Sequence, residues 1–215
     1  MAGFRCPLTA PLVASVCNAG GLGTLASVGL GEFEPDIFTN YAVANARALQ
    51  KEIRRTRRMT DRPFAVNIMC ALTDYEALVK ICVEEKVEVI VSGVGLPLKL
   101  PEYVDIERTK LVPMVSSARA AELICKAWDK KYNLIPDAII VEGPESGGHQ
   151  GFSFQELENI ELYSLESILQ KVAKSIKVFE EKHNRRIPLV AAGGIFSAQD
   201  ISKHLNNGAC GVQMG

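Results

Sequence analysis

The residues best suited to chemistry lie in one glycine-rich segment that contains a histidine, Val141 to Phe152. It reads Val-Glu-Gly-Pro-Glu-Ser-Gly-Gly-His-Gln-Gly-Phe and follows an apolar run typical of a β-strand. An imidazole titrates near neutral pH, so a histidine just past a strand can take a proton from a bound substrate. We therefore predict that His149 is a catalytic base, with the carboxyl groups of Glu142 and Glu145 close to it in the sequence.

Glycine clusters recur where predicted strands end or loops begin. They are Gly20-Gly21, Gly93-Val94-Gly95, Gly147-Gly148 and Gly193-Gly194. Any one of them is compatible with an ordinary turn. The position of Gly193-Gly194 is more informative, because it lies between the last two predicted strands, and the final strand ends in Gln213-Met214-Gly215. In a β/α barrel the loops after the seventh and eighth strands often bind phosphate through backbone amides and a helix N-terminus, which predicts a phosphorylated cofactor.

Asn67 interrupts the apolar run Phe64 to Met69. Burying an amide without partners costs about 1 to 3 kcal/mol. The side chain should therefore meet either a polar cofactor or a structural hydrogen-bond partner inside the protein, and we favour the cofactor.

The remaining histidines and the six cysteines predict no further site. His183 and His204 each lie near the predicted end of a helix, where we expect both to be exposed. The cysteines form no Cys-x-x-Cys pair, and no histidines stand at metal-ligand spacing, so we predict no metal site and no disulfide framework. Most thiols should be reduced and buried.

The elements that position these residues alternate between short apolar runs and longer helical stretches, which is typical of parallel β-α units. The runs are continuous rather than alternating, as expected for strands covered on both faces. Seven strands are predicted, at Leu22 to Ala26, Phe64 to Met69, Val87 to Ser92, Leu111 to Val115, Ala138 to Val141, Leu189 to Ala192 and Gly211 to Met214.

Helical spacing of apolar residues predicts helices over Asp36 to Arg58 and Leu165 to Glu181. Thr73 and Ser197 each stand three residues before a carboxylate, the pattern of a helix N-cap. Gly143 to Tyr163 shows little periodicity and is predicted to be an inserted lid or substrate loop.

Composition excludes several classes of protein. Of the 215 residues, 47% are hydrophobic and 23% charged, with a net charge of -1, which excludes a disordered chain and disfavours a nucleic-acid binder. The basic residues between Lys51 and Arg58 fit a solvated helix C-terminus. Charged residues interrupt every candidate membrane span, and Met1 to Pro7 has no apolar core of a secretory signal, so a cytoplasmic protein is expected.

Five motifs, taken together, resemble the nitronate monooxygenase family, formerly called 2-nitropropane dioxygenases. They occur in the family's order and cover essentially the whole chain; the same motifs resemble the flavin-dependent enoyl-acyl-carrier-protein reductases. Both groups are FMN-binding β/α barrels, which implies an α/β fold of the TIM (β/α)8 barrel type. The motifs are Cys17-Asn-Ala-Gly-Gly-Leu-Gly23, Val66-Asn-Ile-Met69, Glu142-Gly-Pro-Glu-Ser-Gly-Gly-His149, Ala191-Ala-Gly-Gly-Ile195 and Gly211-Val-Gln-Met-Gly215.

The resemblance implies roles for individual residues. His149 matches the family histidine that lies over the flavin and takes a proton from a neutral nitroalkane. Asn67 and Glu142 are implied to bond the flavin ring or its ribityl chain, although the family often has glutamine where Glu142 stands. The other implied FMN contacts are Met1, Ala2, Gly147, Gly148, Gly193, Gly194, Gln213, Met214 and Gly215. A threonine that usually follows Gln-Met-Gly in the family lies beyond Gly215.

The implied function is FMN-dependent oxidation of alkyl nitronates or nitroalkanes by O2 to carbonyl compounds and nitrite. The alternatives are a flavin-dependent enoyl-acyl-carrier-protein reductase that uses NAD(P)H, and a flavin-binding protein without turnover. Dehydrogenases of purine nucleotides also have late glycine loops, but they need a nucleophilic cysteine in a Gly/Ser-rich loop, which neither Cys70 nor Cys125 provides. The expected partners are a small-molecule nitronate or nitroalkane and O2, without nucleic acid or membrane; a homodimer is left open.

The length is short for this fold, because a (β/α)8 barrel typically takes about 250 residues. We expect one FMN-binding domain over residues 1-215 that is incomplete at both ends, with the inserted loop at about 143-163. The N-terminal strand, of which Met1-Ala2-Gly3 is the tail, and the C-terminal segment after Gly215 are expected to be truncated or unresolved.

Overall fold

A computed structural model describes residues 9-215. They divide into two compact units: the first runs to Gly95 and adds Lys99–Leu111, and the second consists of Leu96–Leu98 and Val112–Gly215. The predicted contacts at Met1 and Ala2 lie outside the described residues. No helix within residues 9-215 is long and apolar enough to span a membrane. The single-domain organisation stays a prediction.

The first unit contains three parallel strands in chain order, with Ala26 paired to Asn67 and Asn67 to Val91. The strands are β1 (Thr24–Ala26), β2 (Ala65–Met69) and β3 (Val89–Gly93), and the helices are α1 (Ala10–Asn18), α2 (Tyr41–Arg57) and α3 (Tyr75–Glu84). Short 3₁₀ helices cover Leu30–Phe33 and Leu100–Tyr103. Leu49 and Ile53 of α2 and Leu78 of α3 are fully buried, which explains why their apolar residues recur at helical spacing.

The second unit repeats the pattern, with β4, β5, β6 and β7 paired in that order and parallel. The strands are β4 (Lys110–Val115), whose first two residues belong to the first unit, β5 (Ile139–Glu142), β6 (Leu189–Ala192) and β7 (Gly211–Gln213). The helices are α4 (Ala118–Tyr132), α5 (Phe154–Glu158), α6 (Leu165–His183) and α7 (Ala198–Asn206), and a 3₁₀ helix covers Ile160–Tyr163. Trp128 of α4 is fully buried in this core, and its Nε1 donates a hydrogen bond of 3.0 Å to the carbonyl of Pro97.

All seven predicted strands are present, and the predicted fold class, the α/β repeat of a TIM (β/α)8 barrel, is confirmed. For β2 to β6 the predictions succeed because most strand residues are buried on both faces. In β5, for example, Ile139 and Val141 are fully buried and Ile140 is 4% exposed. An unbroken apolar run is the sequence pattern that such burial requires.

Two predicted helix starts are wrong. α2 begins at Tyr41 rather than Asp36, because the Asp36 carbonyl accepts from the amides of Thr39 and Asn40 in a separate turn. The N-cap of α3 is Asp74, not Thr73. The Asp74 carboxylate makes no capping bond and instead accepts a hydrogen bond from the Asn45 amide on α2 at 3.1 Å.

The segment predicted as an inserted loop contains α5 and the 3₁₀ helix that follows it. Ser153 and Glu156 form a capping box at the start of α5, with the Ser153 amide donating to Glu156 at 2.7 Å. The Ser-x-x-Glu spacing of this box is a signal that could have indicated the helix.

The prediction of two exposed histidines is also wrong. His183 is largely buried, and its Nε2 lies 2.7 Å from the Asp129 carboxylate on α4. His204 is only 5% exposed and faces Glu166 at 3.8 Å. Both contacts join residues distant in sequence, so the position of each histidine at a helix end did not reveal them.

Candidate functional site

The carboxyl ends of β5, β6 and β7 bring together two predicted site residues of the second unit. Glu142 pairs with Ala192, and Ala192 pairs with Gln213. Residues paired across parallel strands project from the same face of the sheet. Glu142 and Gln213 therefore lie on one face, about 10 Å apart across two strand spacings, with only the small Ala192 between them.

Both side chains are half-buried. Burial raises the pKa of the Glu142 carboxyl group, and the neighbouring Ser146 hydroxyl offsets part of that rise. The Ser146 oxygen is buried and makes no hydrogen bond of normal geometry within residues 9-215, so its interaction with Glu142 is weak. The Gln213 side chain has no hydrogen-bond partner in the described chain. Polar side chains in this state are available to bind a ligand.

The Gly193-Gly194 turn packs closely against the loop after β5. Both residues have positive φ, +99° and +69°. A Cβ on Gly193 would come within 3.1 Å of the Gly143 carbonyl, and one on Gly194 within 2.9 Å of the Glu145 carboxylate. Only glycine allows this conformation and this approach of the two loops.

The backbone amides of Gly193 and Gly194 have no acceptor among the described residues. Unpaired amides at the carboxyl end of a parallel strand are suitable donors for a phosphate group. The residues present thus fit the predicted phosphorylated cofactor. The sequence predicted no contact between Glu145 and Gly194. The Glu145 carboxylate lies beside Gly194 because the loops after β5 and β6 pack together.

The N-terminus of α7, the helix predicted to assist phosphate binding, is satisfied by its own residues. One oxygen of Asp200 accepts from the amides of Phe196 at 3.1 Å and Ser197 at 2.9 Å, and the Ser197 hydroxyl caps the Asp200 amide at 3.2 Å. These hydrogen bonds lower the pKa of Asp200. A phosphate at this position would therefore rely on the glycine amides before the helix rather than on the helix itself.

His149 lies in the loop that follows β5. The loop is held by a hydrogen bond from the Ser146 amide to the Gly143 carbonyl at 3.2 Å, and the Gln150 side chain donates to the Ser146 carbonyl. His149 is exposed and makes no hydrogen bond to the rest of residues 9-215. Gly147 and Gly148 beside it have open space around them. The imidazole is thus accessible to a small molecule, as a catalytic base must be; its role stays a prediction.

In the first unit, Asn67 is half-buried on β2. Its backbone carbonyl accepts from the Ser27 amide at 3.1 Å, but its side-chain amide has no hydrogen-bond partner within residues 9-215. The described chain therefore contains no structural partner for this amide, and contact with a cofactor stays the favoured prediction.

Cys70 follows β2 and is poorly suited to act as a nucleophile. Its sulfur lies 3.2 Å from the Ser92 hydroxyl, which is 2.9 Å from the Tyr75 hydroxyl. Burial raises the pKa of both Cys70 and Tyr75. The thiol stays protonated at neutral pH, which agrees with the exclusion of a cysteine-dependent dehydrogenase.

The last two predicted cofactor residues, Met214 and Gly215, follow β7 and are exposed. Across residues 9-215, no cluster of His, Cys, Asp and Glu could hold a metal ion. The candidate site of the second unit is therefore a set of unpaired amides, one carboxyl group and one accessible imidazole.

Comparison with known proteins shows the family of the chain. A family model described as nitronate monooxygenase matches residues 1–78 and 69–215. The chain belongs to the nitronate monooxygenase family. Membership of this family explains why the five sequence motifs and the glycine loops after β5 and β6 occur in one chain.

Three known proteins illustrate the range of relatives of this nitronate monooxygenase family member. It is 30% identical over 204 residues to a (3aS,4S,5R,7aS)-5-hydroxy-7a-methyl-1-oxo-octahydro-1H-indene-4-carboxyl-CoA dehydrogenase from Rhodococcus jostii, covering 95% of this chain and 46% of the relative. A FabK variant from Thermotoga maritima is 34% identical with a TM-score of 0.73, covering 100% of this chain and 60% of that one. A nitroalkane oxidase from Streptomyces ansochromogenes is 25% identical with a TM-score of 0.74, covering 100% and 62%. The chain thus spans about half to three-fifths of these proteins.

Proposed function

We propose that the protein uses FMN to oxidise alkyl nitronates, and nitroalkanes after deprotonation, with O2 to carbonyl compounds and nitrite. The observation that carries the proposal is the set of unpaired groups at the carboxyl ends of β5, β6 and β7 in a chain of the nitronate monooxygenase family. The similarity to a nitroalkane oxidase supports the same substrate class.

The chain's own residues would bind and orient the cofactor. The amides of Gly193 and Gly194 would hold the phosphate, and Glu142 and Gln213 would bond the polar edge of the ring or its ribityl chain. Asn67, whose amide is unpaired, would supply a further polar contact. Bound FMN supplies the capacity to accept electrons from the substrate, which side chains lack.

His149 would act on the substrate. A nitronate already carries the electron pair that must be oxidised, whereas a neutral nitroalkane must first lose its α-proton. The exposed imidazole can accept that proton, a role typically worth about 10² to 10⁴ in rate.

A second candidate function, redox chemistry on a thioester with NAD(P)H, is favoured by one observation. The Rhodococcus jostii relative is named as a dehydrogenase of a carboxyl-CoA compound. The same cofactor site would serve this reaction, because a flavin also accepts hydride from a nicotinamide.

The test is to purify the protein with FMN and compare two assays. Oxygen uptake and nitrite release with a pre-formed nitronate are expected, while an enoyl thioester should cause no NAD(P)H consumption. NAD(P)H consumption that depends on the thioester, without nitrite release, would favour the second function. Bound FMN that reacts in neither assay would indicate a flavin-binding protein without turnover. A cytoplasmic location and a homodimer stay predictions.

A further inference from the structure

We propose that Glu142 binds the flavin as a neutral carboxylic acid, donating one hydrogen bond to the ring and accepting another. The inference rests on the proposed function, because it concerns the same cofactor. It adds a specific protonation state, and therefore a pH dependence of cofactor binding that a glutamine at this position would lack.

Among residues 9-215, no cation interacts with the Glu142 carboxyl group to hold it ionised. β4 and β6 flank β5 with Met114, Val115, Ala191 and Ala192, which carry no charge. α6, which packs against β5 and β6, carries Glu166, but its carboxylate is bonded to Lys203 at 2.5 Å and lies 3.8 Å from His204.

The loop that follows β5 carries the remaining titratable groups. The Glu145 carboxylate is directed to Gly194 and interacts electrostatically with Lys203 of α7, not with Glu142. The His149 imidazole is exposed. β7 contributes Gln213, which is neutral. Burial is the main influence on Glu142 and raises its pKa, and a ligand that excludes more water would raise it further.

The chemistry of the ring favours the neutral acid. A flavin edge presents both N–H donors and carbonyl or ring-nitrogen acceptors, so its partner should both donate and accept. A carboxylate can only accept hydrogen bonds, whereas a protonated carboxyl group both donates and accepts them. The side-chain amide of Gln213, which lies on the same face of the sheet, also both donates and accepts. Glu142 in its neutral form is therefore equivalent to glutamine in hydrogen bonding.

The experiment measures the dissociation constant of FMN by fluorescence quenching from pH 5 to pH 9 for the wild type and Glu142→Gln. Glu158→Gln, an exposed change on α5, is the matched control. The ratio of the wild-type to the Glu142→Gln dissociation constant is used, because it cancels titration of the FMN phosphate, whose second pKa is about 6, and of any other group that the two proteins share. The ratio should be constant at low pH and rise by up to tenfold per pH unit above the pKa of free Glu142. Glu158→Gln should follow the wild type.

An infrared measurement on the wild-type complex is independent of the variants. It should show the carbonyl stretch of a protonated carboxyl group, which shifts in ²H₂O and disappears in Glu142→Gln. FMN binding whose pH dependence is the same in the wild type and Glu142→Gln, or a complex without this band, would overturn the inference and leave the proposed function standing. Absence of FMN binding at every pH would instead overturn the proposed function, and the inference with it.

Discussion

At the scale of single residues, the polar groups predicted to contact a cofactor or substrate share one property. The side chains of Asn67, Gln213 and His149 have no hydrogen-bond partner within residues 9-215, and neither do the amides of Gly193 and Gly194. His149 is exposed and the other groups are half-buried, so all of them are available to bind a ligand. Two predictions belong to this scale.

The first prediction concerns His149. His149→Ala should lower the rate with a neutral nitroalkane by about 10²-fold or more and change the rate with a pre-formed nitronate much less, because only the former must lose a proton. Initial rates of nitrite release with both substrates provide the measurement. An equal loss on both substrates would remove the assignment of His149 as base.

The second prediction compares two glycines of similar conformation. Gly193 and Gly208 have φ of +99° and +95°, but a Cβ on Gly208 would meet nothing within 4 Å. Gly208→Ala should cost about 1 to 2 kcal/mol of unfolding free energy through backbone strain and leave FMN affinity unchanged. Gly193→Ala should cost more and weaken FMN binding at least tenfold, because its methyl group would displace the Gly143 loop. Similar FMN affinities in the two variants would show that the Gly193 turn does not shape the site.

At the scale of the elements, the sequence was most informative where structure depends on local pattern. The continuous apolar runs located β2, β5 and β6 almost to the residue, and Ser197-x-x-Asp200 correctly predicted the capping box of α7. The similar pattern at Thr73 failed because a tertiary hydrogen bond between Asn45 and Asp74 fixes the start of α3. Partners distant in the chain leave no periodic signal.

The features of the candidate site also fall into two groups, those that follow from local sequence and those that depend on distant contacts. The glycine loops and His149 were recognisable as motifs in the sequence. The alignment of Glu142 with Gln213 depends on the register of three strands, and the contact of Glu145 with Gly194 depends on loop packing. A single sequence contains neither register nor packing.

The third prediction tests the two helix starts. Ser197→Ala should lower the free energy of unfolding by about 1 kcal/mol, because the Ser197 hydroxyl caps the Asp200 amide. Thr73→Ala should change it by less than about 0.5 kcal/mol, because Thr73 is exposed and does not cap α3. Urea denaturation of both variants measures the difference. A larger loss in Thr73→Ala than in Ser197→Ala would contradict the observed caps.

At the scale of the whole molecule, the boundary between the two compact units passes through β4. Lys110 and Leu111 belong to the first unit, and Val112–Val115 belong to the second. Because one continuous strand contains residues of both units, we expect the two units to unfold together.

The fourth prediction uses two buried thiols to measure this cooperativity. Cys82 lies in the first unit and Cys125 in the second, and both are fully buried. Burial raises the pKa of Cys82, and it raises that of Cys125 to about 12. Exposed Cys210 should react with a thiol reagent at once, while Cys82 and Cys125 should become reactive at the same urea concentration. Mass mapping of the labelled peptides gives the midpoints, and separate midpoints would show two independent domains.

The Trp128 indole, which donates a hydrogen bond to the Pro97 carbonyl, provides a fluorescence signal for the folded state. Trp128 is the one tryptophan of the chain and is fully shielded from water in the second unit. Its fluorescence should therefore be blue-shifted in the native state and shift to the red when this core opens. Because the first unit has no indole, intrinsic tryptophan emission selectively reports the unit that contains Glu142, His149 and the Gly193 turn.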